Sequence, residues 1–209
     1  MEIGVDMDIN NNKEIFERIA KQYDTEERVK VAEIIADEIR THISDAGEKS
    51  AMDYGCGTGV IGLALMDIFQ SMMFVDTSPN MITEVQKKIK AARIQTADTL
   101  CCDFTLESPP SMQVDYVLLS QVLLHVKDVP LILSRLYGIL NKGGHLIIVD
   151  FNEESDIVSD KIHNGFVQDE LRQMLVEIGF ESVSSHTFYH GEKILMNQDA
   201  SMFMMDGQK

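Results

Sequence analysis

Apolar positions along the chain change their spacing several times, and each change marks an element. From Lys13 the spacing is helical, with Ile15, Phe16, Ile19 and Ala20 on one stripe, until Tyr23 and Asp24 interrupt it. A second helical stripe runs from about Thr25 to Ile43, with Val29, Ala32, Ile35, Ala36 and Ile39 facing inward. Ser50 to Tyr54 reads as a short strand, followed directly by Gly55-Cys56-Gly57-Thr58-Gly59. Helical spacing returns from Val60 to Phe69, and residues 72–76 form a second strand. Ser78-Pro79-Asn80 is a helix start with proline near the first position, and Met81, Val85 and Ile89 carry that helix to about Ala92. Residues 99–104 and 114–120 read as the third and fourth strands, with Pro109-Pro110 in the loop between them. A helix from Val129 to Leu140 ends at the Gly143-Gly144 turn, and residues 145–151 make a fifth strand. A helix from Gln168 to Ile178 is stopped by Gly179. Strand candidates at Val183–Tyr189 and Ser201–Met205 complete the pattern.

Short buried strands alternating with helices predict a doubly wound α/β fold, a parallel sheet with helices on both faces. At 209 residues the chain suits one domain. Within it, residues 13–45 form a leading helical lid, 50–151 the sheet core, and 152–209 a lid loop followed by the last helix and strands. The polar connection from Asn152 to Gly165 follows the fifth strand, a position from which loops cover the carboxyl edge of a parallel sheet.

Charge narrows the partners. Aspartate and glutamate number 34 against 18 lysines and arginines, a formal charge of −16. Such a surface repels phosphate backbones and anionic lipid, so the expected partner is a small molecule, neutral or cationic, and neither nucleic acid nor membrane. Three cysteines, two of them adjacent (Cys101 and Cys102), make no disulfide framework. The N-terminus has no basic start or apolar core, and no stretch approaches the roughly 20 apolar residues a bilayer needs. The expectation is a soluble cytoplasmic protein.

The chemistry-bearing segment is Asp53-Tyr54-Gly55-Cys56-Gly57-Thr58-Gly59. Its glycines let the backbone turn sharply after a strand and leave room for a ligand to approach closely. Gly57, Gly59 and Gly62 formally match G-x-G-x-x-G, and Asp76 closes the next strand, which is the dinucleotide fingerprint. Asp53 opposes that reading. A carboxylate just before the loop is unfavourable beside a pyrophosphate but suits a ligand carrying ammonium or sulfonium charge. An amino-acid-bearing nucleoside satisfies both requirements.

With these motifs the sequence resembles the class I S-adenosylmethionine-dependent methyltransferases, in particular the small-molecule, type 11 branch, over nearly the whole chain from about Phe16 to Met205. The resemblance implies a Rossmann-like three-layer sandwich with seven strands in the order 3-2-1-4-5-7-6, the last antiparallel. It implies that S-adenosylmethionine is the cofactor. The segment Asp53, Gly55, Cys56, Gly57, Thr58 and Gly59 would hold its methionine part, and Asp76, with Thr77 beside it, the ribose hydroxyls. Asp103, beside Phe104, would meet the adenine amino group, with Met81 packing nearby. Ser120, past the fourth strand, and Tyr23, between the leading helices, complete the implied cofactor set.

No N-P-P-[YF] segment follows the fourth strand; Leu119-Ser120-Gln121-Val122 stands there, which argues against adenine or glutamine amide as acceptor. His125 and His163 are the candidates for a general base, if the acceptor needs one. Either can also serve as an ordinary structural histidine. The six histidines have no metal-ligand spacing, so no metal is expected, although Asp150 at the end of the fifth strand leaves some room for one. Cys101 and Cys102 read as buried small residues on opposite faces of a strand. The implied activity is methyl transfer to an oxygen, nitrogen, sulfur or carbon of a small acceptor. A catalytically silent cofactor-binding regulator and a dinucleotide-dependent oxidoreductase remain as alternatives, and oligomeric state is open.

Overall fold

The computed structural model describes residues 17–43, 46–153 and 163–209. The start of the expected first helix at Lys13 and most of the lid loop, residues 154–162, lie outside them. Glu17–Ile19 are helical and Ala20–Gln22 form a 3-10 turn. The elements that follow are α1 (Glu26–His42), β1 (Ser50–Tyr54), α2 (Val60–Ala64), β2 (Ser71–Asp76), α3 (Pro79–Ala92), β3 (Ala97–Cys101) and β4 (Val114–Ser120). After a 3-10 turn at Leu123–His125 come α4 (Val129–Ile139), β5 (Leu140–Phe151), α5 (Gln168–Ile178), β6 (Glu181–Leu195) and β7 (Gln198–Gln208).

The seven strands form one sheet in the order β3-β2-β1-β4-β5-β7-β6. Every pairing from β3 to β5 is parallel, and β7 runs antiparallel to both its neighbours. Alternation along the strands divides the core. Ala51, Met72, Phe74, Leu118, Ile147, Val149, Met202 and Met204 face Ile35 and Ile39 of α1, Val85 of α3 and Leu65 after α2. Met52, Val75, Val117, Leu119, Ile148, Phe203 and Met205 face Ile132 and Leu136 of α4 and Leu171 and Leu175 of α5. Helices therefore cover both faces, as a buried parallel sheet requires.

Local chemistry sets the helix ends. Thr25 caps α1 by accepting the Arg28 N–H, and Ser78 caps α3 by accepting that of Met81. Gly179, at φ 118°, closes α5 in the left-handed conformation. Several expected elements differ in their bounds. The strand expected over 145–151 already starts at Leu140, directly after α4, so Gly143-Gly144 lies within β5 and is no separate turn. The helix expected over Val60–Phe69 stops at Ala64, because Arg40 of α1 donates to the Ala64 carbonyl and forms a two-pronged pair with Asp67 at 2.7 and 2.9 Å. The third strand ends at Cys101, not at 104, because Asp103 starts a turn of its own. Its Oδ1 accepts the Thr105 N–H and hydroxyl, and its carbonyl accepts the Leu106 and Glu107 N–H groups. Cys101 is consequently exposed and Cys102 half-buried, where burial had been expected for both. The β6–β7 hairpin is longer than expected, closing through Met196-Asn197, both at positive φ.

Histidine–acid pairs fasten α1 to the far strands. Glu38 pairs with His186 of β6 at 2.8 Å, and Asp206 of β7 bridges His42 and His145, both at 2.9 Å. No helix among the described residues is long and apolar enough to cross a membrane.

Asp150, fully buried at the end of β5, accepts the Phe151 N–H at 2.9 Å and the Leu124 N–H at 3.3 Å, so it fixes the 3-10 turn against the sheet. Burial raises its pKa to about 7, against 3.8 ordinarily. The folded state therefore holds a proton that the unfolded state has lost. Stability from this group is fully present below about pH 4 and is lost as pH rises towards and through about 7. In thermal unfolding from pH 4 to pH 8, Asp150→Asn should gain on the wild type as pH rises; a constant gap refutes the assignment. A second expectation concerns α2, which lies tight on the sheet at Gly62. A methyl there would come within 2.5 Å of Phe74 Cε1, 2.6 Å of Asp53 Oδ2 and 2.8 Å of Met72 Sδ. Gly62→Ala should cost about 2 kcal/mol in urea unfolding, the usual scale of overpacking.

Candidate functional site

The glycine loop is held by the end of the neighbouring strand. The Gly55 and Cys56 N–H groups both donate to the Val75 carbonyl, at 2.7 and 3.0 Å, and the Gly57 N–H donates to Asp76 Oδ2 at 2.8 Å. Asp76 Oδ1 accepts the Ser78 N–H at 2.8 Å, so this carboxylate joins the loop to the start of α3. Gly55 sits at φ 72° with Val122 pressed against it; a methyl there would lie 2.4 Å from Val122 Cγ2. Thr77 is half-buried beside Asp76, and its carbonyl lies 3.7 Å from Cys101 Sγ.

Asp53 lies beneath this loop, 3% exposed, and faces Gly62. No donor among the described residues hydrogen-bonds its Oδ2. Burial raises its pKa to about 7; the Gly62 N–H offsets part of that and the Asp76 charge adds to it. A buried carboxyl in this state is stabilised by a nearby cation. Cys56 is a thiol pushed well up by burial and by the Asp53 and Asp76 charges, which disfavours any nucleophilic role.

An arm preceding α1 closes over the loop. A methyl built on Gly57 would lie 3.8 Å from Tyr23 Cε1, and the Arg28 guanidinium stands 4.3 Å from the centre of the Tyr23 ring. Burial raises the Tyr23 pKa, with Arg28 opposing and Asp76 and Asp24 reinforcing the shift. The buried Thr58 hydroxyl donates to Asp24 Oδ1, while Lys88 of α3 donates to Asp24 Oδ2 at 2.7 Å and to the Thr58 carbonyl at 2.8 Å. Thr58 thus uses its hydroxyl on the arm. Sequence reasoning missed Asp24 and Lys88. They lie 64 residues apart, and neither carries a motif.

On the β3 side, Asp103 commits Oδ1 to Thr105, while Oδ2 has no hydrogen-bond partner among the described residues. Phe104 is fully buried against Tyr54, ring centres 4.9 Å apart, and its N–H donates to the Tyr54 hydroxyl at 3.0 Å. It supports this wall from behind. Arg135 of α4, also missed, donates to the Phe104 and Glu107 carbonyls and so steadies the Asp103 turn. Met81 is 1% exposed under the start of α3.

Beyond β4, the Ser120 hydroxyl is enclosed without a hydrogen-bond partner among the described residues. Gln121 follows at φ 55°. His125 lies half-buried in the 3-10 turn, and burial lowers its pKa to about 4. His163 is exposed and fixed to the same turn: its N–H donates to the Leu124 carbonyl and its Nε2 to the Val126 carbonyl, at 2.9 and 2.8 Å. That second bond puts the ring proton on Nε2 and leaves Nδ1 as the basic nitrogen. Among the described residues no group of three histidines, cysteines or acids is arranged to hold a metal. Asp150 spends its carboxylate on backbone N–H groups.

The fold therefore gathers Asp53, the glycine loop, Asp76 and Tyr23 at one place. It sets Asp103 at the next strand end and Ser120, His125 and His163 on the other side. Glycines open the backbone, a buried acid awaits a cation, and two further acids stand at strand ends. This set fits an aminoacyl nucleoside such as S-adenosylmethionine.

Comparison with known proteins agrees. Residues 52–148 match the family model described as a methyltransferase domain. An uncharacterized methyltransferase of Schizosaccharomyces pombe is 24% identical over 62% of this chain and 49% of its own length. One from Mycobacterium tuberculosis is 28% identical over 57% of this chain and 56% of its own. The chain thus spans about half the length of the curated relatives it matches. Among solved structures, phosphoethanolamine N-methyltransferase 2 of Haemonchus contortus, in complex with phosphomonomethylethanolamine and S-adenosylhomocysteine, superposes with a TM-score of 0.67. The identity is 15%, and the match covers 81% of this chain and 50% of that one. By the family match over residues 52–148 and by strand order, this chain is similar to proteins of the methyltransferase-domain family.

Proposed function

We propose that this chain binds S-adenosylmethionine along the carboxyl ends of β1 to β3 and catalyses methyl transfer to a small molecule by direct displacement. The observation that carries the reading is the gathering of the glycine loop, Asp53 and Asp76 under the Tyr23 arm, with Asp103 at the adjoining strand end. When bound, the cofactor supplies an electrophilic methyl on a sulfonium. The protein's own residues do the rest. Asp76 and Asp103 orient the nucleoside by accepting hydrogen bonds, and Asp53 offers a negative charge in a water-poor setting, where it acts more strongly. Alignment of acceptor and methyl then supplies much of the rate.

The acceptor enters between the β4 and β5 ends, where His163 stands. A net charge of −16 favours a neutral or cationic acceptor. The Haemonchus enzyme, whose structure holds a phosphorylated methylamine, shares the fold. An amine nitrogen in its neutral form needs no base. A hydroxyl or thiol does, and His163 Nδ1 serves that need, whereas His125 holds its proton too weakly at neutral pH.

Calorimetric titration with S-adenosylhomocysteine, with NAD as control, tests the cofactor. Micromolar binding is expected, no NAD binding, and a loss of about tenfold or more in Asp76→Ala, the scale of lost charge-assisted hydrogen bonds. A folded protein that binds no S-adenosylhomocysteine overturns the reading. Turnover on a panel of amines, thiols and phenols tests the base. With a hydroxyl or thiol acceptor, His163→Ala should lower kcat about a hundredfold near pH 7. With an amine acceptor it should leave kcat within a few-fold.

A further inference from the structure

The arm is attached to the cofactor loop by one compact cluster whose three members come from three different parts of the chain. Asp24 precedes α1, Thr58 lies in the glycine loop, and Lys88 lies on α3. Asp24 uses both carboxylate oxygens, one on the Thr58 hydroxyl and one on the Lys88 ammonium, and Lys88 returns to the Thr58 carbonyl at 2.8 Å. Every pairwise link in the triangle is made, so the arm, the loop and α3 are locked in one register. Thr58 is 2% exposed, whereas the Lys88 and Asp24 side chains are about one-third exposed. The anchor is thus enclosed on the loop side and open to solvent on the charged side.

The position of this cluster gives it a consequence for the ligand. Asp24 adjoins Tyr23, whose ring lies against Gly57, itself bonded to Asp76. Around it, the Arg28 side chain meets the Tyr23 carbonyl and ring, Asn80 donates to the Glu17 carbonyl at 2.9 Å, and Ala20 is buried. A carboxylate in this position would by itself repel the carboxylate end of an aminoacyl ligand. Lys88 neutralises it, so the ammonium both fastens the arm and removes that repulsion.

We propose that Asp24 and Lys88 are positioning residues that hold Tyr23 over the glycine loop and set the rate at which spent cofactor leaves. The proposal rests on the cofactor reading above. A ligand bound between loop and arm departs only when the Asp24–Thr58–Lys88 cluster opens. Because the Asp24–Lys88 pair is part-exposed, added salt screens it and speeds opening.

The test compares wild type, Asp24→Asn, Lys88→Met and Lys88→Arg. Stopped-flow displacement gives the dissociation rate of S-adenosylhomocysteine at low and high salt. Asp24→Asn and Lys88→Met should release it about five- to tenfold faster, the effect of losing about 1 kcal/mol from such a pair, and their rates should respond less to salt. Lys88→Arg, which keeps the charge, should stay within about twofold of wild type. Hydrogen–deuterium exchange on cofactor-free protein supplies an independent readout. The amides of residues 23–29 should exchange faster in Asp24→Asn and Lys88→Met, with the sheet unchanged, which also shows that the variants fold. Equal release rates across all four proteins overturn the proposal, as does equal exchange in the arm. Wild type that binds no S-adenosylhomocysteine overturns the cofactor reading and the role in release with it, while the exchange comparison still decides whether the cluster holds the arm.

Discussion

Three consecutive N–H groups, those of Gly55, Cys56 and Gly57, are all received by two consecutive residues of β2, Val75 and Asp76. That arrangement is the constraint on which the site depends. A loop leaving a parallel strand has no ladder partner of its own, and its backbone donors must find acceptors or face water. Here the adjoining strand end supplies them, so the loop is shaped by the β1–β2 register, Tyr54 opposite Val75. Asp76 then accepts the Ser78 N–H as well, and the start of α3 becomes part of the same rigid corner. The position of one acidic side chain thus follows from sheet register, and the shape of the loop follows from that side chain.

Much of this was legible in the sequence because it rests on local rules. Ser78-Pro79 starts a helix for reasons contained in four residues, and α3 begins where they put it. Strands β1 and β4 match their expected bounds because the glycine loop ends the first and a mostly apolar run, Val114 to Ser120, marks the second. The errors arose where a distant group decided the outcome. Residues 65–69 keep a helical pattern, yet α2 ends because Arg40, on another helix, takes the Ala64 carbonyl. The Met196-Asn197 turn lacks the glycine that usually announces such a hairpin, and only strand pairing on both sides reveals it.

The candidate site divides in the same way. The glycine loop and Asp76 carry their meaning in spacing. Asp103 was found in sequence, but its orientation depends on a turn that competes with strand extension and is braced by Arg135 and Tyr54. Lys88 could not be found from sequence, since a lysine on an amphipathic helix looks the same whether it meets solvent or a carboxylate 64 residues away. The two histidines had equal standing until burial separated them, one held neutral within the fold and the other exposed with its tautomer fixed by a carbonyl.

The histidine–acid pairs on α1 have a mechanical consequence. Glu38 and His42, both in the second half of the helix, are fastened to β6 and β7, and through Asp206 to His145 in the middle of β5. The other end of α1 begins two residues after Asp24. A helix of 17 residues is about 25 Å long, so α1 is a lever with its fulcrum at the edge of the sheet away from the glycine loop. A tilt of about 5° about His42 would displace Thr25 by about 2 Å. Small strains at the fulcrum therefore arrive magnified at the tip, and substitutions at Asp206 or His145, far from any ligand, act on the place where Tyr23 sits.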